Sequence, residues 1–268
     1  MLERHLILVL ATVGLVEAFS RGRFAWHPAT RIGIASRPTN TNSLSAGTLF
    51  TDLLPLHEAP HLAAALAERQ IITATPIQEA AVSFVHKGTS LTLHSETGSG
   101  KTLALLAPLL LRLQGRLVLE NRRVLVLAPS RELAAQLASE AKKLLGPCEG
   151  TVKLVCLGEK YVPTVKSLEG AAVLVATPAE LAAALWDDKE LREWLPTQLG
   201  ALVLDEVDAL IPSRKFTGQR ILYMDEGMHP AEGIVKLVAR RCEGPDFQVG
   251  VQYYLKSFFK EGKLHPYL

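Results

Sequence analysis

Cysteine and net charge are both in short supply, and each shortage narrows what the chain can be. The three cysteines, Cys148, Cys156 and Cys242, are an odd number in a chain of 268 residues, too long to depend on disulfides, so reduced thiols are expected. No Cys/His spacing suggests zinc, and the eight histidines are scattered. Lys and Arg number 29 against 27 Asp and Glu, so bulk electrostatics do not announce a nucleic-acid binder and any basic surface must be local. Apolar residues, at 48 %, are plentiful enough for one sizeable core or one domain with appendages.

The most local shortage is acid at the N-terminus. An apolar run from Leu6 to Val16 follows Arg4 and His5; it is short for a membrane span and suits a signal-peptide core, with Val16 and Ala18 at the small-residue cleavage positions. From Phe19 to Thr51 there is then no Asp or Glu, while Arg21, Arg23, Arg31 and Arg37 sit among serines and threonines, the composition of a transit peptide. Residues 1–18 are therefore expected to be a signal peptide and 19–48 a transit peptide or disordered linker. The pair resembles the two-part presequence of plastid proteins in algae with secondary plastids, in which Phe19 would be the residue after the cut. That implies an organellar, plastid location and no membrane association of the mature chain. A secretory signal followed by a linker, or a mitochondrial presequence, are the alternatives.

Beyond about Phe50, helical patterns alternate with short apolar runs. "HLAAALAER", "PIQEAAVSFVH", "KTLALLAPLLLRLQ", "RELAAQLASEAKKLL" and "PAELAAALW" read as helices. "TSLTLHS", "RRVLVLAPS", "VKLVCLG", "AAVLVATP" and "GALVLDEVD" read as buried strands, each ending at a polar residue. This alternation predicts an α/β fold, a parallel β-sheet with helices on both faces, in which ligands bind outside the carboxyl ends of the strands.

One such strand runs into "SETGSGKT", Ser95 to Thr102. Glycine lets the backbone curl so that successive N–H groups face an anion, and a helix starting near Gly100 or Lys101 adds its dipole. Lys101 would then reach the β- and γ-phosphates and the Thr102 hydroxyl would ligate Mg²⁺. The strict P-loop pattern has Gly where this chain has Ser95, and a glycine turn beside a solvated lysine is the alternative. A second strand ends at Asp205 and Glu206 about a hundred residues later. Asp205 would hold the magnesium and Glu206 polarise the attacking water; the alternative is a helix N-cap with a first-turn carboxylate. Loop and acidic pair together point to a P-loop NTPase, with Lys101, Asp205 and Glu206 as its catalytic residues.

"TATPIQ", "SETGSGKT", "APSREL", "ATPAEL" and "LDEVD" resemble, in order and spacing, the first RecA-like domain of DEAD-box RNA helicases. The resemblance covers roughly Phe50 to Val251, and the domain is set at residues 49–251. It implies an ATP- and RNA-binding domain. Ser95, Glu96, Thr97, Gly98, Ser99, Gly100, Lys101 and Thr102 would hold the phosphates. Gln78 would read adenine, whose edge matches the paired donor and acceptor of an amide, and Phe50 or an apolar neighbour would pack on the base. Asp208 would connect the acidic motif to the family's Ser-Ala-Thr segment. Pro129, Ser130, Arg131, Glu132, Gly158, Thr177 and Pro178 would grip the RNA sugar–phosphate backbone without reading sequence.

The departures from the family pattern are as specific. Ala179 and Glu180 stand where the family has Gly-Arg, "LGEK" has one glycine where two are expected, and Gln70 and Ala74 replace a glycine and a proline. Past Val249 to Val251 the expected Ser-Ala-Thr motif gives way to an aromatic-rich segment, 252–268, expected to be an atypical tail where the reading frame leaves the family sequence. A second RecA-like domain, or a full-length helicase, is thus an expected partner, since in the family it supplies arginines to the γ-phosphate. ATP hydrolysis by this chain alone is expected to be weak or absent. A non-catalytic ATP/RNA-binding module that competes with or docks on a full-length partner is the alternative.

Overall fold

Alternation along the strands assigns their two faces to different cores. In β3 (Arg123–Leu127) Val124 and Val126 join one apolar cluster while Leu125 and Leu127 join another. The same split runs through β5 (Val173–Ala176) and β6 (Leu199–Leu204), where Val173, Val175, Ala201 and Val203 face the first cluster and Leu174, Ala176, Leu202 and Leu204 the second. Continuous apolar strands of this kind require cover on both sides.

The computed structural model describes residues 30–33, 47–114, 122–146, 152–156, 163–211, 229–241 and 248–253. With β1 (Thr30–Gly33), β2 (Leu91–His94), β4 (Val152–Val155) and β7 (Gln248–Tyr253), they form a sheet in the order β1-β2-β7-β6-β3-β5-β4, and every pairing is parallel. On one face lie α1 (Phe50–Leu53), α2 (Pro60–Glu68), α3 (Pro76–His86), α4 (Lys101–Gln114) and α5 (Arg131–Leu145). Opposite are α6 (Val165–Leu168), α7 (Pro178–Asp187), α8 (Lys189–Gln198), α9 (Val207–Leu210) and α10 (Pro230–Arg241). The α/β architecture expected from the alternation of apolar runs is therefore present.

Three differences from the sequence reading stand out. Thr30–Gly33, inside the segment taken for linker, is the edge strand paired with β2 from Thr30↔Leu91 to Gly33↔His94. β7 runs to Tyr253, two residues past the expected domain end, because its pairing with β2 extends to His94↔Tyr253. α8 has no counterpart in the sequence reading; Asp188 opens it by accepting the Leu191 N–H at 3.0 Å, and Pro196 falls in its last turn. Residues 1–29, carrying the signal-peptide reading, and 254–268, most of the expected tail, lie outside the described residues. No described helix is long and apolar enough to cross a membrane.

Strand order brings distant loops together. β2 and β6 flank β7, so their carboxyl ends lie two interstrand steps apart, roughly 10 Å. β3, β5 and β4 are consecutive neighbours on the other side of β6, so the loops after them line up along the same edge.

Candidate functional site

The loop after β2 turns back on itself because two of its glycines adopt backbone conformations that other residues resist. Gly98 has φ +81° and Gly100 φ +93°. A Cβ on Gly98 would meet nothing within 4 Å, so the backbone angle alone asks for glycine there. At Gly100 the angle and the space agree: a Cβ would run into the Gln78 amide nitrogen and lie 3.2 Å from the Thr75 hydroxyl. Gly100→Ala is therefore expected to lose about 2 kcal/mol of stability, the combined cost of a left-handed alanine and a displaced Gln78. A thermal melt should show it as a fall of roughly 4–8 °C.

Lys101 opens α4, and its side chain folds back into the loop. It is 3 % exposed and its ammonium donates to the carbonyls of Ser95 and Glu96, both at 2.7 Å. The Ser95 and Ser99 hydroxyls are hydrogen-bonded to each other across the loop base at 2.5 Å. Burial pushes the Lys101 pKa down, while the carboxylates of Asp205, Glu206 and Glu96 pull it up. Glu96, Thr97 and Gly98 are exposed, and Thr102 is half-buried in the first turn of α4.

A second element props the loop from the side. Pro76 starts α3, and Gln78 in its first turn is 3 % exposed. The Gln78 amide oxygen accepts the Thr75 N–H at 2.9 Å and its nitrogen donates to the Gly100 carbonyl at 3.2 Å. The Thr75 hydroxyl donates to the Ser99 carbonyl at 2.7 Å. Gln78 thus ties helix start to phosphate loop, a role the sequence reading did not assign; one lone pair and one N–H remain for a base edge.

The two unusual residues upstream also find reasons. Ala74, where a proline is expected, donates its N–H to the Thr48 carbonyl at 2.9 Å, a bond proline cannot make. Gln70 takes φ +56° where glycine is expected, so the left-handed turn persists at a steric cost. Phe50 requires a correction: its ring is 1 % exposed within the core, because α1 packs on α3, and no face is open to a base. Leu49 and Ile72 beside it are exposed.

At the end of β6 the Asp205 N–H donates to the Leu127 carbonyl at 2.9 Å, which carries the sheet ladder one residue past the strand. Asp205 is 2 % exposed, and its Oδ1 has no hydrogen-bond partner among the described residues. Burial is the main reason its pKa rises from 3.8 to about 7; the neighbouring Glu206 charge adds to this, and Lys101 opposes it. Glu206 has φ +50° and ψ +57°, left-handed for a residue with a side chain, and its carbonyl accepts the N–H groups of Ala209 and Leu210. Residues held in such sparsely populated backbone regions cluster at functional sites. Asp205 is thus not the cap of α9; Glu206 occupies that position without a side-chain capping bond.

A buried carboxylate oxygen without a partner, facing a phosphate loop, has the chemistry a hard divalent cation selects. Asp205 therefore fits a hard divalent cation such as magnesium. Asp208, half-buried in α9, also has an unpartnered Oδ1. His94, the last residue of β2, was missed by sequence reasoning. Its pKa is lowered by burial first and by Lys101 second, with Asp208 opposing, so the imidazole lies within electrostatic reach of both motifs. Its position directly before the glycine-rich loop was the available signal.

The remaining expected contacts lie after β3 and β5. Pro129 and Ser130 are half-buried, and Ser130 caps α5 by accepting the Leu133 N–H at 3.2 Å. Arg131 and Glu132 are exposed in the first turn. Thr177 is 6 % exposed, and Pro178 is buried as the first residue of α7. Pro178 fixes the helix start. Gly158 lies outside the described residues.

A glycine-rich loop and an acidic strand end facing each other at the carboxyl edge of a parallel sheet define a RecA-like P-loop domain. The chain belongs to the DEAD/DEAH box helicase family, whose profile matches residues 75–229. It is 35 % identical over 197 residues to the pre-mRNA-splicing ATP-dependent RNA helicase PRP28 of Chaetomium globosum, covering 70 % of this chain and 26 % of that protein. It is 34 % identical over 188 residues to the probable ATP-dependent RNA helicase DDX28 of Homo sapiens, covering 62 % of this chain and 31 % of the relative. Among solved structures it shares the fold of the DEAD-box helicase Mss116 bound to ssRNA and UDP-BeF, with TM-score 0.62, 17 % identity and coverage of 84 % and 42 % of the two chains. A DEAD box protein from Methanococcus jannaschii matches with TM-score 0.52, 20 % identity and coverage of 73 % and 47 %. The chain thus spans under a third of these two curated relatives and under half of these two structures.

Proposed function

We propose that this chain is the ATP- and RNA-binding first domain of a DEAD-box RNA helicase, in which ATP hydrolysis is coupled to RNA remodelling. The observation that carries the reading is the facing of Lys101 and Asp205, which influence each other's ionisation across the cleft between β2 and β6. The loop amides of Thr97 to Lys101 and the Lys101 ammonium would bind a triphosphate. Thr102 and Asp205 would hold Mg²⁺, which when bound neutralises phosphate charge. Glu206 would orient water. The carboxamide of Gln78, held between Thr75 and Gly100, supports adenine selectivity because its rigid placement leaves one donor and one acceptor. Ser130, Arg131 and Thr177 would contact the RNA backbone.

The arginines that complete such sites come, in this reading, from a second RecA-like domain. Delivery to a plastid is proposed from the composition of residues 1–48. Calorimetric titration with ATP and GTP, with and without Mg²⁺, followed by steady-state turnover with and without RNA, tests the assignment. Mg²⁺-dependent binding with preference for ATP is expected. RNA-stimulated turnover would mark a catalytic domain, and tight binding without turnover a module that acts with a partner. A chain that binds neither nucleotide would overturn the reading.

A further inference from the structure

Glu180 stands where a positively charged residue is expected, and its surroundings give it more to do than remove a charge. It is the third residue of α7, following Thr177-Pro178-Ala179, a spacing that normally lets a glutamate close a capping box on the threonine's own N–H. Here the box does not form. The Thr177 N–H faces the Cys156 sulfur instead, and Thr177 makes no side-chain capping bond to the helix.

The Glu180 carboxylate turns to the sheet edge. One oxygen accepts from the Arg131 guanidinium Nε and the other from the Thr177 hydroxyl. Its side chain is 11 % exposed, whereas Arg131 is 64 % exposed, so the acid sits inside and the base lies over it. Cys156, just after β4, feels both charges and its thiol also donates to the Glu180 carboxylate; burial first and Glu180 second push the thiol pKa up. The carboxylate therefore lies among the carboxyl ends of three adjacent strands, β3, β5 and β4.

An arginine guanidinium and a threonine hydroxyl are the donors a phosphodiester oxygen would use on this face. A carboxylate offers the same two acceptor oxygens and the same negative charge. We infer that Glu180 is an intramolecular competitor for the RNA backbone, occupying the Arg131 and Thr177 donors so that a phosphate must displace it to bind. This rests on the RNA-binding reading above. Glu180 thereby sets the affinity of the face: RNA is held weakly by the first domain alone, and the outward nitrogens of Arg131 supply the initial contact.

The test is fluorescence anisotropy of the full chain with a labelled ten-nucleotide oligouridylate at two salt concentrations. Variants are Glu180→Gln, Glu180→Ala, Arg131→Ala and the double variant Glu180→Gln/Arg131→Ala, with circular dichroism reporting folding. Glu180→Gln is expected to tighten binding roughly tenfold, the worth of one charge-assisted hydrogen bond released to the ligand. Its salt dependence should steepen by about one phosphate contact. Arg131→Ala should cancel the gain, which a pairwise cycle reads directly. Glu180→Ala keeps the test alive if the glutamine reproduces the original contacts. If wild type binds and Arg131→Ala weakens it, while both Glu180 variants leave affinity unchanged or lower, the competitor role is overturned and RNA binding survives. If neither wild type nor any variant binds, the RNA-binding reading fails and takes this inference with it.

Discussion

Lys101→Met should lower affinity for Mg²⁺–ATP by at least about 100-fold while leaving the ligand-free domain as stable as before, or slightly more stable. The first half follows from charge. A buried ammonium beside a phosphate contributes hydrogen bonds of the charged class, about 1.5–3 kcal/mol each, and the triphosphate offers more than one oxygen. The second half follows from the direction of the Lys101 pKa, which lies below its ordinary value with burial as the leading cause. A lysine whose folded-state pKa is depressed favours the neutral form on folding, so its charge at neutral pH opposes stability. The carbonyls of Ser95 and Glu96 and the nearby carboxylates offset only part of that cost, since the net direction of the shift is downward. Methionine keeps the apolar stem and removes the charge. A thermal melt with and without nucleotide separates the outcomes: wild type should gain melting temperature from Mg²⁺–ATP and the variant should not. Loss of ligand-free stability by several kcal/mol would show that Lys101 holds the loop together rather than waiting for an anion.

How much of this could be read in the residues depends on whether a feature is local. The loop Ser95–Thr102 and the acidic end of β6 were legible because each needs only a strand, a turn and a charge within ten residues. Both faces of the sheet were legible because uninterrupted Val and Leu runs admit no exposed side. The edge strand Thr30–Gly33 was not, since its existence depends on a partner about sixty residues away and its flanks have linker composition. Phe50 was misassigned for a related reason: an aromatic at the right distance from a motif fits a stacking platform and a core residue equally, and only the packing of α1 on α3 decides. Glu180 was visible as an oddity. Its contact with Arg131, 49 positions earlier, required the adjacency of β3 and β5. Gln78 also ties the start of α3 to the loop at Gly100, a contact that the motif alone did not reveal.

Asp205→Asn should remove a pH dependence from both stability and nucleotide binding. With its pKa raised from 3.8 to about 7, Asp205 keeps a proton in the folded protein that the unfolded chain has already released. The stability this confers is fully present below the unfolded value, falls as pH rises through the interval, and is gone above the folded value. At about 1.4 kcal/mol per pH step the difference between wild type and Asp205→Asn should change by on the order of 4 kcal/mol between roughly pH 4 and pH 7, then level off. Denaturation of both proteins across that range measures it. Nucleotide binding should run the opposite way. A magnesium ion needs the carboxylate ionised, so below pH 7 binding must expel the proton, and Mg²⁺–ATP affinity should rise about tenfold per pH step before reaching a plateau. Titration calorimetry in buffers of different ionisation enthalpy counts that proton: about one released near pH 6 and about none at pH 8.5. If Asp205→Asn keeps the wild-type proton release, the titrating group lies elsewhere and the metal assignment at the end of β6 falls with it.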